Sequence, residues 1–168
     1  QKCNTGNDKM LYYIASRFRL PEKFEDLIYL SQVTQLECIS DATEHWRRNK
    51  GRCNGSIYWQ FNDCWGVCSW ASMDYYGNYK ALQYTAKHFN APLSISVEDT
   101  KDYVKLHVLN DLAQKQDITV RYDIFDFSKG VIMTEEKTLS VDAVSNAEAF
   151  VLWLVELKRK FSLKKSGI

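Results

Sequence analysis

Charge excess, long apolar runs, proline and metal-binding spacings are all scarce or missing in this chain, and each shortage narrows what it can be. Its 168 residues carry 22 Lys+Arg against 21 Asp+Glu, a formal charge of +1. No global field therefore draws it to nucleic acid or to an anionic membrane surface. No segment approaches the roughly 18 consecutive apolar residues of a membrane span, so partners must be sought in local sites. The five Cys stand at Cys3, Cys38, Cys53, Cys64 and Cys68 without a C-x-x-C pair. An odd count without that spacing argues against a disulfide framework and against zinc. It predicts small buried or half-buried thiols in a reducing compartment. The three His, His45, His88 and His107, have no neighbouring ligand at metal-binding spacing, so no metal and no cofactor is expected. The opening Gln1-Lys2-Cys3-Asn4 has neither a Met start nor an apolar signal core. It reads as an internal cut, behind which the targeting of a longer parent cannot be seen.

What is present is apolar and aromatic. A hydrophobic fraction of 45% is enough for a core in one ordinary domain or two small pieces. Five Trp and ten Tyr are unusually many, and they cluster between Trp46 and Tyr84 as a stacking surface would require. The spacing of Phe24, Leu27, Ile28, Val33, Leu36, Ile39, Ala42 and Trp46 predicts a long amphipathic helix over Glu22 to Arg48. A shorter helix is expected before it, from about Asp8 to Phe18 and closed off by Pro21. The run Arg47-Arg48-Asn49-Lys50-Gly51 suits a helix C-terminus. Gly55 to Phe61 reads as a short strand buried on both faces. A loop over Asn62 to Asp74 then leads to a helix whose apolar face is Tyr75, Tyr79, Leu82, Ala86 and Phe89, ending before Pro92. Helix, buried strand, long polar and aromatic loop, helix is the order shown by the last units of a parallel α/β barrel.

Beyond Pro92 the apolar period changes to two, through Leu93, Ile95 and Val97, then Val104, Leu106 and Val108, then Ile118, Val120, Tyr122 and Ile124. Alternation broken by polar turns predicts antiparallel strands of a β-sandwich. The last segment stays open between two readings, a helix over Ala147 to Phe161 entered by Ser145 and Glu148, or a buried strand over Phe150 to Leu157.

Several dispersed blocks carry a family resemblance. Glu44-His45-Trp46-Arg47-Arg48, Gly51, Gly55, Tyr58-Trp59-Gln60-Phe61-Asn62-Asp63-Cys64-Trp65, Ser69-Trp70, Asp74-Tyr75-Tyr76-Gly77, Lys80-Ala81-Leu82 and Ala91-Pro92 together closely resemble the end of the catalytic barrel in β-mannosidases of the glycoside hydrolase 2 type. The resemblance implies an α+β fragment. Residues 1–91 would hold the last helices and eighth strand of a (β/α)8 barrel, and residues 92–168 an incomplete Ig-like antiparallel β-sandwich. It also implies a retaining exo-hydrolase that removes terminal non-reducing β-D-mannose from an oligosaccharide or glycoconjugate. Such chemistry uses two carboxylates, a nucleophile and a general acid/base. The family's motifs for both are absent, so the catalytic carboxylates are expected upstream and the 168 residues alone are expected to be inactive without the missing N-terminal part. For a bacterial-type parent a cytoplasmic location is favoured.

By position Trp59 resembles the tryptophan that ends the eighth strand and walls the sugar subsite; the alternative is an ordinary barrel-core aromatic. An indole face suits the C–H patch of a pyranose. Asn62 and Asp63 are candidates to receive sugar hydroxyls, with a turn-holding role open for Asp63. Trp65 and Trp70 stand either at the pocket mouth or in packing beneath the loop. Asp74 to Lys80 is expected to cap the last helix, with Lys80 a solvated or structural cation. Gly66 and Asn90 depart from the family pattern, which commonly has proline and an aromatic there. A rival reading is a non-catalytic carbohydrate-binding or scaffold protein derived from such an enzyme. Nucleic-acid binding through the aromatics, Arg47-Arg48 and Lys158-Arg159-Lys160 is disfavoured by interrupted charge.

Overall fold

The computed structural model describes residues 5–161. The internal-cut reading of Gln1 to Asn4, including Cys3, and residues 162–168 lie outside the described residues. Backbone packing divides the chain into two units. One runs to Trp46 and resumes over Cys53–Asn90; the other joins Arg47–Arg52 to the chain from Ala91 onward.

The first unit contains helices α1 (Gly6–Ala15), α2 (Phe24–Arg48, its last two residues counted with the second unit) and α3 (Ala81–Phe89). No Gly or Pro interrupts the 25 residues of α2, and Glu25 and Asp26 complement the positive dipole end in its first turn. Gly51, at φ +96°, turns the chain after it. Leu82, Ala86 and Phe89, spaced four and three apart on α3, bury one face against Leu36 and Ile39 of α2 and against Tyr58. Each large side chain buried in this way contributes roughly 1.5–3 kcal/mol, so this cluster anchors the unit.

Three expectations need correction here. Phe24, Ile28 and Trp46 of the predicted α2 face are exposed, because α3 meets only the middle of that helix. The predicted strand over Gly55 to Phe61, the eighth barrel strand, does not form: residues 55–61 belong to no strand, Ile57 is 97% exposed and Phe61 is exposed. A strand buried on both faces needs a hydrogen-bonded neighbour at each side, whereas here only Gln60 and Phe61 accept backbone bonds, from Ser72 and Met73, and among the described residues no strand pairs with the run. The last helix of the unit begins at Ala81 instead of near Tyr75. Gly77 adopts φ +85° and Asp74 bonds its own turn, which leaves Tyr75 and Tyr79 exposed outside the helix.

The second unit is two antiparallel layers. Strands β1 (Leu93–Asp99), β2 (Tyr103–Asn110) and β5 (Ser145–Trp153) form one sheet in the order β1-β2-β5, and β3 (Gln116–Asp126) with β4 (Gly130–Val141) form a hairpin. Val108, Val120, Val141 and Ala149, one from each of β2, β3, β4 and β5, make the core between them. Alternation turns one side of β2 and β3 to this core, as the period of two requires, whereas on β1 only Ser96 is buried. The layers are uneven among the described residues, so Ile95 and Val97 on edge strand β1 stay exposed. The segment left open by periodicity takes both forms in succession: β5 to Trp153, then α4 (Leu154–Phe161) with Lys158, Arg159 and Lys160 in its last turn.

Polar groups lock this unit. Asn110 is fully buried; its amide donates to the carbonyls of Gln114 and Asp142 at 2.9 Å, while its oxygen accepts the Leu112 N–H at 3.0 Å. The Arg47 guanidinium donates to the Ala91 carbonyl at 2.8 Å and to Asp111 at 2.9 Å, and Lys50 also pairs with Asp111. Partial burial pushes the Asp111 carboxyl up, but Lys50 and Arg47 outweigh it and hold the group below its ordinary value. Across β1 and β2, His107 lies 2.9 Å from Glu98, and the Tyr103 hydroxyl donates to the same carboxylate at 3.1 Å. The His107 bond holds Glu98 below its ordinary value, with burial opposing and Tyr103 assisting.

Two outcomes are expected. Asn110→Ala strands several buried backbone groups and lowers the unfolding free energy by about 2–3 kcal/mol, measurable by urea denaturation. Glu98 and Asp111 have depressed folded-state pKa values, so their stabilisation is present above the unfolded values and is lost as pH falls through the folded ones. Stability therefore declines below about pH 5, and Glu98→Gln with Asp111→Asn flattens that decline in denaturation curves run from neutral to acid pH.

Candidate functional site

The aromatic-rich loop between Cys53 and Lys80 is braced by its own backbone. Ser72 N–H donates to the Gln60 carbonyl at 3.0 Å, Met73 N–H to Phe61 at 2.9 Å, and Asp63 N–H returns to Met73 at 3.1 Å. Asn62 and Met73 form a parallel bridge, and Met73 and Tyr79 an antiparallel one. The wholly buried Ser72 hydroxyl sits 2.8 Å from both the Phe61 carbonyl and Gln83 Oε1, with the Tyr58 hydroxyl 3.2 Å away. From α2, Gln35 donates to the Trp70 carbonyl at 2.7 Å and Gln32 accepts the Ala81 N–H at 2.9 Å.

Asp63 is the charged centre of this loop. It is 4% exposed; one oxygen accepts the Ser69 hydroxyl and the other accepts Lys80 Nζ at 3.2 Å. Both oxygens are thus spent inside the loop, which favours the turn-holding role over contact with a sugar. Lys80 is correspondingly a structural cation, its side chain mostly buried. Asp74 accepts the N–H groups of Tyr76 at 2.9 Å and Asn78 at 2.8 Å. The side-chain bond from Asn78, then its backbone bond, hold the Asp74 carboxyl below its ordinary value. The stretch from Asp74 to Lys80 therefore closes its own turn, and the first N–H of α3 is capped by Gln32 instead.

The candidate aromatics point outward. Trp59 is 72% exposed, which is at odds with a buried core aromatic, and the Trp59–Gln60 peptide is cis. Trp65 and Trp70 are also exposed, so neither packs fully beneath the loop. Asn62 is exposed, and its amide reaches only the Asp63 carbonyl at 3.4 Å. The fold brings Asp63, Ser69 and Lys80 together, whereas Trp59 and Asn62 are exposed beside them in sequence. The roles of Ser69, Ser72, Gln32 and Gln35 were not legible in the sequence, since their partners lie 6 to 49 residues away.

Cys38, Cys64 and Cys68 are exposed and Cys53 is half-buried, which corrects the expectation of buried or half-buried thiols for the first three. Cys64 and Cys68 stand on the irregular loop, where no apolar element covers them. Among the described residues no three His, Cys, Asp or Glu side chains are grouped to hold a metal ion, and no helix is long and apolar enough to cross a membrane.

Residues 102–166 match the family described as Mannosidase Ig/CBM-like domain. Over 152 residues the chain is 35% identical to the beta-mannosidase of Bos taurus, covering 82% of this chain and 17% of the bovine protein. Over 106 residues it is 42% identical to that of Mus musculus, covering 55% of this chain and 12% of the mouse protein. The chain is a β-mannosidase relative. The beta-D-mannosidase of Dictyoglomus thermophilum superposes with a TM-score of 0.76 at 28% identity, over 90% of this chain and 19% of that one. The exo-chitosanase of Amycolatopsis orientalis shares the fold, with a TM-score of 0.72 at 24% identity over 83% of this chain and 17% of that one. This β-mannosidase relative spans less than a fifth of the length of the curated proteins it matches.

Removing the loop's central carboxylate tests its role. Asp63→Ala leaves Lys80 without its partner and is expected to cost about 3 kcal/mol in urea denaturation, with faster proteolysis within residues 60–80. Unchanged stability in that variant removes the turn-holding role.

Proposed function

We propose that this chain is the C-terminal portion of a retaining exo-β-mannosidase of the glycoside hydrolase family 2 type, acting on terminal non-reducing β-D-mannose of oligosaccharides or glycoconjugates. In this reading residues 1–91 supply the last helices of the catalytic (β/α)8 barrel, with the irregular run over residues 55–61 in place of a formed eighth strand, and residues 92–168 an Ig-like β-sandwich. The observation that carries it is the exposed Trp59 indole on a loop pinned from Gln60 onward, in a chain similar to β-mannosidases.

Trp59 supplies an apolar wall on which the C–H face of the mannose ring rests, and Asn62 offers an amide to a ring hydroxyl. Trp65 borders the same loop. Asp63 works behind them, keeping the loop in one shape through Lys80. Glycoside hydrolysis with retention needs a nucleophile and an acid/base about 5 Å apart. Both belong to parts of such an enzyme other than these 168 residues, so this chain contributes substrate positioning and not bond cleavage. No cofactor takes part.

A chromogenic β-mannoside assay tests the proposal. The 168-residue chain is expected to give no turnover, and a longer parent containing it to hydrolyse the substrate. In that parent Trp59→Ala is expected to lower kcat/KM by about 10- to 100-fold, equivalent to about 1.4–2.7 kcal/mol of transition-state stabilisation. Turnover by the short chain refutes the assignment of both carboxylates elsewhere. An inactive parent that still binds mannosides supports the non-catalytic alternative.

A further inference from the structure

The second unit carries a groove of about 690 Å³ between the β3-β4 hairpin and the β5-α4 segment; Tyr122, Met133, Glu135, Trp153, Glu156 and Arg159 are among the side chains lining it. Its volume lies within the range of small-ligand sites. The aromatic wall is held from behind. Trp153 faces Tyr103 across the β2-β5 pair, and the two rings meet edge to face at 5.6 Å. Tyr103 is itself fixed by its bond to Glu98 and by the Lys105 ammonium, 5.0 Å above its ring. Trp153 nonetheless keeps 47% of its surface exposed. Tyr122 is braced in the same manner, edge to face on Phe150 at 4.8 Å. An indole packed on one side and open on the other is preorganised to receive a flat apolar surface.

The polar side of the groove has unspent capacity. Lys160 is engaged with the Met133 sulfur at 3.5 Å and lies 5.5 Å from the centre of the Phe161 ring. The side chains of Glu156 and Arg159, by contrast, make no hydrogen bond or ion pair among the described residues. The charges balance, Glu135 and Glu156 against Arg159 and Lys160. Balanced charge favours a neutral ligand over an ion, and free acceptors and donors beside an aromatic wall favour one rich in hydroxyls. From these features we infer that the groove is a second carbohydrate-binding site. A pyranose lies with its C–H face on Trp153, donates hydroxyl protons to Glu156 and Glu135, and accepts from Arg159.

This site is separate in the chain from the Trp59 loop, and only the choice of a mannoside as first probe rests on the proposed function. The test is an NMR titration of the full chain with β-1,4-linked mannotriose, and in parallel with cellotriose and chitotriose. Saturable shifts are expected at the Trp153 indole N–H and at the Glu135 and Glu156 amides, while the Trp59 indole signal reports the other site. Trp153→Ala and Arg159→Gln should each weaken the groove response at least tenfold. Arg159 is exposed, so its variant keeps the fold, as spectral dispersion will verify. A groove response to cellotriose or chitotriose but not to mannotriose supports the site while counting against the mannoside reading. Absence of groove shifts with all three sugars, shifts confined to Trp59, or undiminished binding by Arg159→Gln overturns the inference.

Discussion

Backbone groups that enter the interior must be hydrogen-bonded, and residues 55–80 must meet that requirement without a sheet. This constraint organises the first unit. The chain satisfies it by folding the segment after Trp59 onto the segment after Trp70, so that Gln60, Phe61 and Asp63 exchange bonds with Ser72 and Met73. Ser72 fills the closest approach with a hydroxyl small enough to be wholly buried and polar enough to meet Tyr58, Phe61 and Gln83 at once. The Asp63 carboxylate then closes the arrangement. A charge removed from water is tolerable only when paired, so Lys80 and Ser69 have one acceptable placement, and the loop inherits it.

The consequence for Trp59 is mechanical. Its ring lies in the open, yet the backbone immediately after it is held by the Ser72 N–H, and the neighbouring Tyr58 ring is packed edge to face on Phe89 of the helical core at 6.2 Å. An exposed indole on a freely moving loop would lose much of its contact energy to ordering on binding. Here that ordering has already taken place during folding. Phe61, Trp65 and Trp70, nearby in sequence, are exposed as well.

Sequence pattern made the regular parts legible. The period of 3.6 located α2 and the buried residues Leu82, Ala86 and Phe89, and the period of two located β2 and β3, because burial of one face is written into residue spacing; it located β1 too, although the apolar face of that strand stays exposed. Gly55 to Phe61 misled for a physical reason: an apolar run states that a segment prefers cover, not that a neighbour is present to supply it. Tyr75 and Tyr79 misled because aromatic residues at helical spacing do not reveal a turn closed by Asp74 and Gly77. The β5-α4 junction was ambiguous since Phe150 to Leu157 satisfies both periods, and the decision lies in pairing with β2, which ends at Trp153. Within the candidate site the residue types were legible and their duties were not. Whether a carboxylate faces a ligand or a lysine depends on contacts such as Asp63 with Lys80, 17 residues apart.

The carboxylates of the chain also bear on where bond cleavage belongs. A general acid for glycoside hydrolysis needs a carboxyl whose pKa is raised, so that it still holds a proton when substrate arrives. Each carboxylate here with a resolved shift moves the other way. Asp74 is lowered first by Asn78, Glu98 by His107, Asp123 by Thr134 and Asp126 by Ser128, while Asp111 is lowered by Lys50 and Arg47 against its own partial burial. In every case the cause is a donor or cation of this chain that stabilises the ionised form. Groups held ionised by internal partners fasten turns and strands; they are poorly suited to deliver a proton. These five carboxylates therefore serve as internal fasteners of turns and strands.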